Sequence, residues 1–459
     1  MLQYRQKTYN IQKGLVPMTR DMTTGSIPRH MLAYAVPLLF GNLFQQLYNT
    51  VDSLVVGRMD GKQALAAVGA AGPVMNILIF LIVGISMGAS ILMAEYFGAG
   101  DGKQLRAELA TSVTAGLVFT LVISAAAFAG AGVFLRLTRV PPEILAQAAA
   151  YLRIVATGLV FSFLYNILSA ALRAVGDSRA PLGVLVLSSL LNILLDLLFV
   201  GGLGMGVRGA AYATVLSQAF SAGASLLYIR LASPPLRLGW ADLRVSGPLL
   251  NRTIRFSSVS AVQQTVLYVG RILVQSAINP IGVDAVAAFN AGSIIDSYVL
   301  APGDSLAASL TTFTAQNRGA GKQDRIPTGL KVSIVIGMSF CAAVSVLVFL
   351  FDQHLIRLFL RPEEAEAIRM GLGYLHLMAL FYICTGVCNS FQGLFRGLGK
   401  LQVTLYATLV QIPVRVAITW LLVPSLGVTG AAAGVACGWL CMIAYELYAY
   451  RKHWKTTTP

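Results

Sequence analysis

Twelve times along its 459 residues this chain runs apolar for about 20 residues or more, the length at which an α-helix crosses the hydrocarbon core of a bilayer. The runs lie near residues 31–57, 65–97, 107–135, 144–172, 181–203 and 209–231, then 254–278, 285–317, 326–352, 370–395, 403–424 and 429–451. With 56 % hydrophobic and 12 % charged residues, the chain holds more apolar material than a soluble core of ordinary proportions can hide. The expected class is an all-α polytopic membrane protein.

The second six runs restate the first six. Gly206-Val207-Arg208-Gly209-Ala210-Ala211 returns 221 residues later as Gly427-Val428-Thr429-Gly430-Ala431-Ala432. Ala64-Leu65-Ala66-Ala67 returns as Ala285-Val286-Ala287-Ala288, and Leu172-Arg173-Ala174-Val175-Gly176 as Phe395-Arg396-Gly397-Leu398-Gly399. Six spans is an even number, so both copies enter the membrane from the same side. The expectation is two six-helix lobes related by a pseudo-two-fold axis along the membrane normal, the parallel kind of repeat known from secondary transporters. The chain divides accordingly: a segment 1–30, an N-lobe 31–231, a linker 232–253 containing Ser233-Pro234-Pro235, a C-lobe 254–451 and a tail 452–459.

A net charge of +15 raises the question of nucleic acid, but the distribution of charge answers it differently. If the termini and alternate loops share one side, that side holds 23 Lys and Arg and the other holds 8, with Arg153, Arg271 and Arg415 inside spans. This is the bias expected of a multi-pass protein of the cell (inner) membrane with both termini cytoplasmic. No soluble domain is left to carry nucleic-acid binding. Between Met1 and Pro28 there is no apolar run, so no cleavable signal peptide is expected, and Met1, Met18 or Met22 could each be the start.

Cys341, Cys384, Cys388, Cys437 and Cys441 all fall in apolar spans, with no His or acid spaced to complete a metal site, so they read as packing residues. His376 reads as a hydrogen-bonded packing residue, and Glu95 as interfacial, within reach of lipid headgroups. No Ser with a partnered His, His-rich cluster or pair of carboxylates near an interface suggests an enzyme, and no cofactor is expected.

The chemistry is expected at acids with no topological reason to be where they are. An Asp near the centre of a transmembrane helix costs about 2.5 to 3.5 kcal/mol to insert. Asp52 lies well along the first span, and Asp196 is central in Leu194-Leu195-Asp196-Leu197-Leu198. Tyr48 precedes Asp52 by four residues, Asn192 precedes Asp196 by four, and Thr214 precedes Gln218 by four, so each helix presents a short polar stripe on one face. Converging stripes would supply oxygen donors of the kind a hard cation prefers, and two acids in one dry site would not both ionise readily. The pocket could hold a proton, or Na⁺ at Asp52, Asn192, Asp196 and Thr214. The bland alternative is that these groups only hydrogen-bond helices together.

Three stretches resemble the multidrug and toxic compound extrusion (MATE) transporters: Tyr48-Asn49-Thr50-Val51-Asp52-Ser53 with Ala64-Leu65-Ala66-Ala67-Val68-Gly69, Gly176-Asp177-Ser178-Arg179-Ala180-Pro181, and Asn192-Ile193-Leu194-Leu195-Asp196 with Gly209-Ala210-Ala211-Tyr212-Ala213-Thr214. The resemblance spans residues 22 to 451 and is closest to the DinF-like branch. It implies twelve helices in two lobes and export of amphipathic, often cationic, organic compounds in exchange for H⁺ or Na⁺. It places a cation site on Tyr48, Asp52, Asn192, Asp196 and Thr214, with Pro37 as the bending point of the first helix. A low-weight substrate-cavity set is Gln45, Gln263, Gln264 and Asp296.

The second copy departs from this pattern, with Arg415 at the position of Asn192 and Thr419 at that of Asp196. Arg271 and Arg415 are expected to pair with Asp296 as a structural ion pair. The alternative activity is flipping of a lipid-linked precursor, which would need more basic cavity residues than Arg271 and Arg415. The expected partners are small-molecule substrates and the lipid bilayer, and nothing calls for an obligate dimer, so a monomer is expected.

Overall fold

A computed structural model describes residues 19–138, 140–239 and 242–454, excepting the side chains of Asn49, Asp52, Ser53, Leu54, Val56, Lys62, His453 and Trp454. The expectations for residues 1–18, including the starts at Met1 and Met18, and for the end of the tail lie outside the described residues. Among these there is no strand, and there are twelve long α-helices. They are α1 (Ile27–Met59), α2 (Gly61–Gly98), α3 (Gly102–Leu137), α4 (Pro142–Ala174), α5 (Arg179–Asp196), α6 (Gly206–Ala232), α7 (Gly247–Ile278), α8 (Val283–Gly319), α9 (Arg325–Arg357), α10 (Ala365–Gly397), α11 (Leu401–Leu426) and α12 (Val428–Trp454). Among the described residues ten of them, all but α1 and α7, are long enough and contain an apolar stretch long enough to cross a membrane.

The duplication read from sequence is written into the backbone. Glycines in the left-handed region recur in pairs at nearly the repeat step: Gly61 with Gly282, Gly100 with Gly321, Gly176 with Gly399, and Gly206 with Gly427. Each marks a turn between helices, where a residue without Cβ adopts positive φ at little cost. Gly176 shows why the Gly176-to-Pro181 motif has its composition. Its φ is 85°, and a Cβ there would run into the backbone of Arg20, whose N–H donates to Val175 O at 3.0 Å. Asp177 then caps α5, its Oδ1 accepting from the N–H groups of Arg179 and Ala180, both at 3.1 Å, while Tyr228 donates to its Oδ2 at 2.8 Å.

The chain forms two compact units. One holds residues 19–22 and 37–261, the other 23–36 and 262–454, so α1 passes from one to the other just before Pro37 and α7 just after Ala261. In the first unit α2 meets α7 through small residues: a Cβ on Gly84 would lie 2.6 Å from Ala261 Cα, and Ser257 Oγ donates to Ile85 O at 3.0 Å. Glu95 has a partner within the unit: Arg252 reaches it at 2.7 Å while stacking over Tyr96.

In the second unit residues 27–36 of α1 pack on α8, with Tyr34 Oη and Thr312 Oγ1 at 2.9 Å and Ser309 Oγ donating to Met31 O at 3.1 Å. Gly337 and Gly386 bring α9 and α10 into backbone contact, and Ser333 and Ser390 share a hydrogen bond of 2.8 Å beside them. Without a hydrophobic drive between helices in lipid, such small-residue contacts and short hydrogen bonds supply the cohesion. Cys341 contacts Thr385 and Cys388 contacts the Trp439 carbonyl, as packing residues do. His376 hydrogen-bonds Asp352 at 2.6 Å and stacks on Phe349.

Candidate functional site

The polar stripe on α5 is buried on its own helix face. Asn192 and Asp196, one turn apart, have no exposed surface, although Leu194 and Leu197 beside them are exposed. Both polar atoms of the Asn192 amide lack a hydrogen-bond partner among the described residues. A buried side-chain amide normally finds partners, so an unsatisfied one marks a place where a ligand, ion or water belongs. Immediately after Asp196 the α-helix gives way to a π-helical turn, Leu197–Gly202. Such turns inside helices concentrate at functional sites because they re-aim side chains and loosen the hydrogen-bond ladder.

Helix α6 packs beside α5. Its Thr214 is half-buried and donates to Ala210 O at 3.0 Å, which leaves the hydroxyl oxygen able to accept or ligate. One turn on, Gln218 Oε1 is buried without a hydrogen-bond partner among the described residues. Tyr48 on α1 is half-buried, and the side chain of Asp52 lies outside the described residues. Pro37 stands inside α1, where it removes one backbone donor from the helix ladder.

The cavity set separates. Gln45 is exposed and Gln264 half-buried. Gln263 is buried in a polar chain across four helices of the second unit. Its Nε2 donates to Gln392 Oε1 at 2.8 Å and to Thr408 Oγ1 at 2.9 Å, and Gln392 Nε2 donates to Glu446 Oε1 at 2.6 Å. Glu446 is wholly buried. Asp296 belongs to a different group. Tyr374 and Tyr382 on α10 each donate to one of its oxygens at 2.5 Å. The close approach comes from Gly292, one turn before Asp296, where a Cβ would lie 2.6 Å from the Tyr374 ring.

Arg271 and Arg415 lie within electrostatic reach of Asp296, whose two oxygens accept from the tyrosine hydroxyls rather than forming a direct salt bridge among the described residues. Sequence reading also passed over Glu446 and Glu108, each wholly buried. Glu108 accepts from Ser112 at 3.1 Å and Thr253 at 2.6 Å. Both acids stand near helix ends in sequence, and nothing there signals that a neighbouring helix buries them.

The MatE family model matches this chain twice, over residues 37–198 and 260–421, once per copy. The chain is 28 % identical over 443 residues to the "Probable multidrug resistance protein YpnP" of Bacillus subtilis, covering 95 % of this chain and 97 % of that one. It is 29 % identical over 208 residues to "DNA damage-inducible protein F" of Escherichia coli, 43 % of each chain. Its fold matches an outward-facing multidrug resistance transporter of the MOP superfamily with a TM-score of 0.90 at 23 % identity, over 97 % of this chain and all of that one.

Proposed function

We propose, from the premise that this chain belongs to the MatE family of multi-pass membrane transporters, that it exports amphipathic organic compounds in exchange for H⁺ or Na⁺ bound in its first unit. The matched proteins are transporters rather than enzymes, and their names point to multidrug resistance rather than lipid-precursor flipping. The observation that carries the coupling site is the fully buried Asn192–Asp196 pair, with the unsatisfied Asn192 amide, directly before a π turn. Asp52, Tyr48 and Thr214 complete the site in this reading, and the termini face the cytoplasm of a monomer.

The cycle follows from charge. A proton or Na⁺ entering from outside neutralises the Asp52–Asp196 site, α1 shifts at Pro37, the substrate cavity contracts and the compound leaves. Release of the cation to the cytoplasm restores the negative site and the affinity for substrate. Linkage then requires substrate and cation each to weaken the other's binding.

The test is ethidium efflux from proteoliposomes carrying wild type, Asp52→Asn or Asp196→Asn, with sodium and proton gradients imposed separately. Transport that follows one gradient and disappears in both variants, with insertion unchanged, supports the reading and identifies the ion. Gradient-independent efflux, or variants that match wild type, rejects it.

A further inference from the structure

We infer that the seam between α4 and α6 in the first unit is the path by which the coupling cation passes between the Asp196 site and the cytoplasm, with Gln218, Ser225 and Ser169 as its steps. The inference rests on the exchange reading and gives it a route.

The path begins as a pattern in sequence. Thr214, Gln218, Ser221, Ser225 and Tyr228 follow one another on α6 at intervals of four and three residues, which keeps their side chains on one face of the helix. Gly158, Ser162, Tyr165 and Ser169 do the same on α4. The two faces meet, since a Cβ on Gly158 would lie 2.8 Å from Val215 Cγ2 and 3.2 Å from Gln218 Oε1. At the far end Tyr228 donates to Asp177 Oδ2 at 2.8 Å, beside the Val175 carbonyl that accepts from Arg20 of the N-terminal segment. The stripe on α6 therefore runs from Thr214, in the proposed cation site, to the side of the N-terminal segment, which is the cytoplasm in the exchange reading.

The second copy shows what positions 169 and 225 face. Their counterparts are Gln392 and Glu446, whose side chains meet in a hydrogen bond of 2.6 Å. Two serines at those places face the same space and are too short to meet across it. Ser225 has no exposed surface, and its Oγ has no hydrogen-bond partner among the described residues. Ser169 is 1 % exposed, and its Oγ lies beside the Tyr165 hydroxyl without a well-formed hydrogen bond. Gln218 Oε1 is buried and also without a hydrogen-bond partner among the described residues. A serine that only packs helices donates to a nearby carbonyl, as Ser221 does to Ser217 O at 2.9 Å. Buried oxygens left over from such bonds suit a hard cation, or the water that carries a proton, on its way through a helix bundle. The lining is neutral. Arg20, Arg173 and Arg179 stand near Asp177 only at the mouth, where salt screens them, so passage depends on oxygen lone pairs rather than on net charge.

Access to the seam needs neither gradient nor substrate, so it is measured apart from transport. The full-length chain, with its five cysteines replaced by alanine and Ser225→Cys or Ser169→Cys added, is exposed in inside-out vesicles to Ag⁺, a thiol-reactive cation close to Na⁺ in size. Thiols that silver has not reached are counted with a maleimide after denaturation. The control is Ala156→Cys, unexposed on the opposite face of α4, where Ser124 Oγ donates to the Ala156 carbonyl. Both seam cysteines are expected to react about tenfold faster than the control, and bound silver to slow gradient-driven ethidium transport about tenfold while equilibrium ethidium binding stays within about twofold. Equal silver rates at all three positions mean a dry packing seam and overturn the path alone. Loss of ethidium binding together with transport would make the seam part of the substrate site and also overturn it. Wild-type transport that ignores both gradients rejects the exchange reading, whatever silver does, and the path with it. If the cysteine-free chain does not fold, Ser225→Leu in the native chain decides: slowed transport with unchanged ethidium binding supports the path, and a wild-type rate overturns it.

Discussion

The two copies of the repeat keep the same turns and hold opposite polar chemistry. Left-handed glycines stand at four matching places in each. Yet 223 residues beyond Asn192 and Asp196, the second unit has Arg415 and Thr419. The acid of the first unit lies beside an unsatisfied amide, whereas Asp296 in the second unit is saturated by two tyrosines. Duplication has preserved what sets the backbone path and released what fills the interior, so a charge in one copy says little about its counterpart.

The comparison breaks most visibly if the first unit is given the polar pair of the second. Asn192→Arg with Asp196→Thr is expected to reduce gradient-driven ethidium efflux to the level of empty liposomes. Efflux that survived would mean the two units are not specialised. The next largest effect falls on stability. Tyr374→Phe and Tyr382→Phe each remove a hydrogen bond to a buried carboxylate, expected to cost about 1.5–3 kcal/mol apiece. Thermal unfolding in detergent reads this, and a double variant no worse than one single variant would show that the hydroxyls do not hold Asp296 independently.

A third test compares Glu446 with Ser225, which occupies the matching position 221 residues earlier and is also wholly buried. Glu446→Ala strands the Gln392 amide and should destabilise by about 1–3 kcal/mol. Ser225→Ala, whose hydroxyl has no hydrogen-bond partner among the described residues, should stay within about 0.5 kcal/mol of wild type. Equal melting shifts would mean that the polar chain through Gln263 and Gln392 adds nothing to the second unit. The smallest contrast is between Gly206→Ala and Gly427→Ala. Both place a side chain at positive φ, costing about 1–2 kcal/mol. Gly206 should suffer slightly more, because its Cβ would meet Asp60 while Gly427 faces open space. A larger shift for Gly427 would contradict that local picture.

The sequence made legible whatever repeats along one helix or between copies. All twelve helices, the duplication and the buried face shared by Asn192 and Asp196 follow from spacing, because bilayer thickness and helix period are fixed lengths. What it hid depends on contacts between residues far apart in the chain. The partners Arg252 for Glu95 and Tyr374 and Tyr382 for Asp296 are 78 to 157 residues away. Nothing local distinguishes those tyrosines from others in apolar runs. The π turn was hidden for another reason, since Leu197-Leu198-Phe199-Val200 has the composition of ordinary α-helix.

The π turn has a counterpart in arithmetic. Thirty residues separate Gly176 from Gly206, but twenty-eight separate Gly399 from Gly427. The longer copy is the one with the buried acid, and its wide turn lies directly after Asp196, where the shorter copy continues as α-helix to Leu426. An α-helix advances about 100° per residue, so one residue absorbed in a wider turn rephases everything beyond it by about that angle. The helix can therefore keep Asn192 and Asp196 on their buried face while the segment leading to α6 starts from a different side of the axis. In that sense the insertion acts as a rotary joint: it separates the orientation of the acidic face from the orientation of the chain that must leave it.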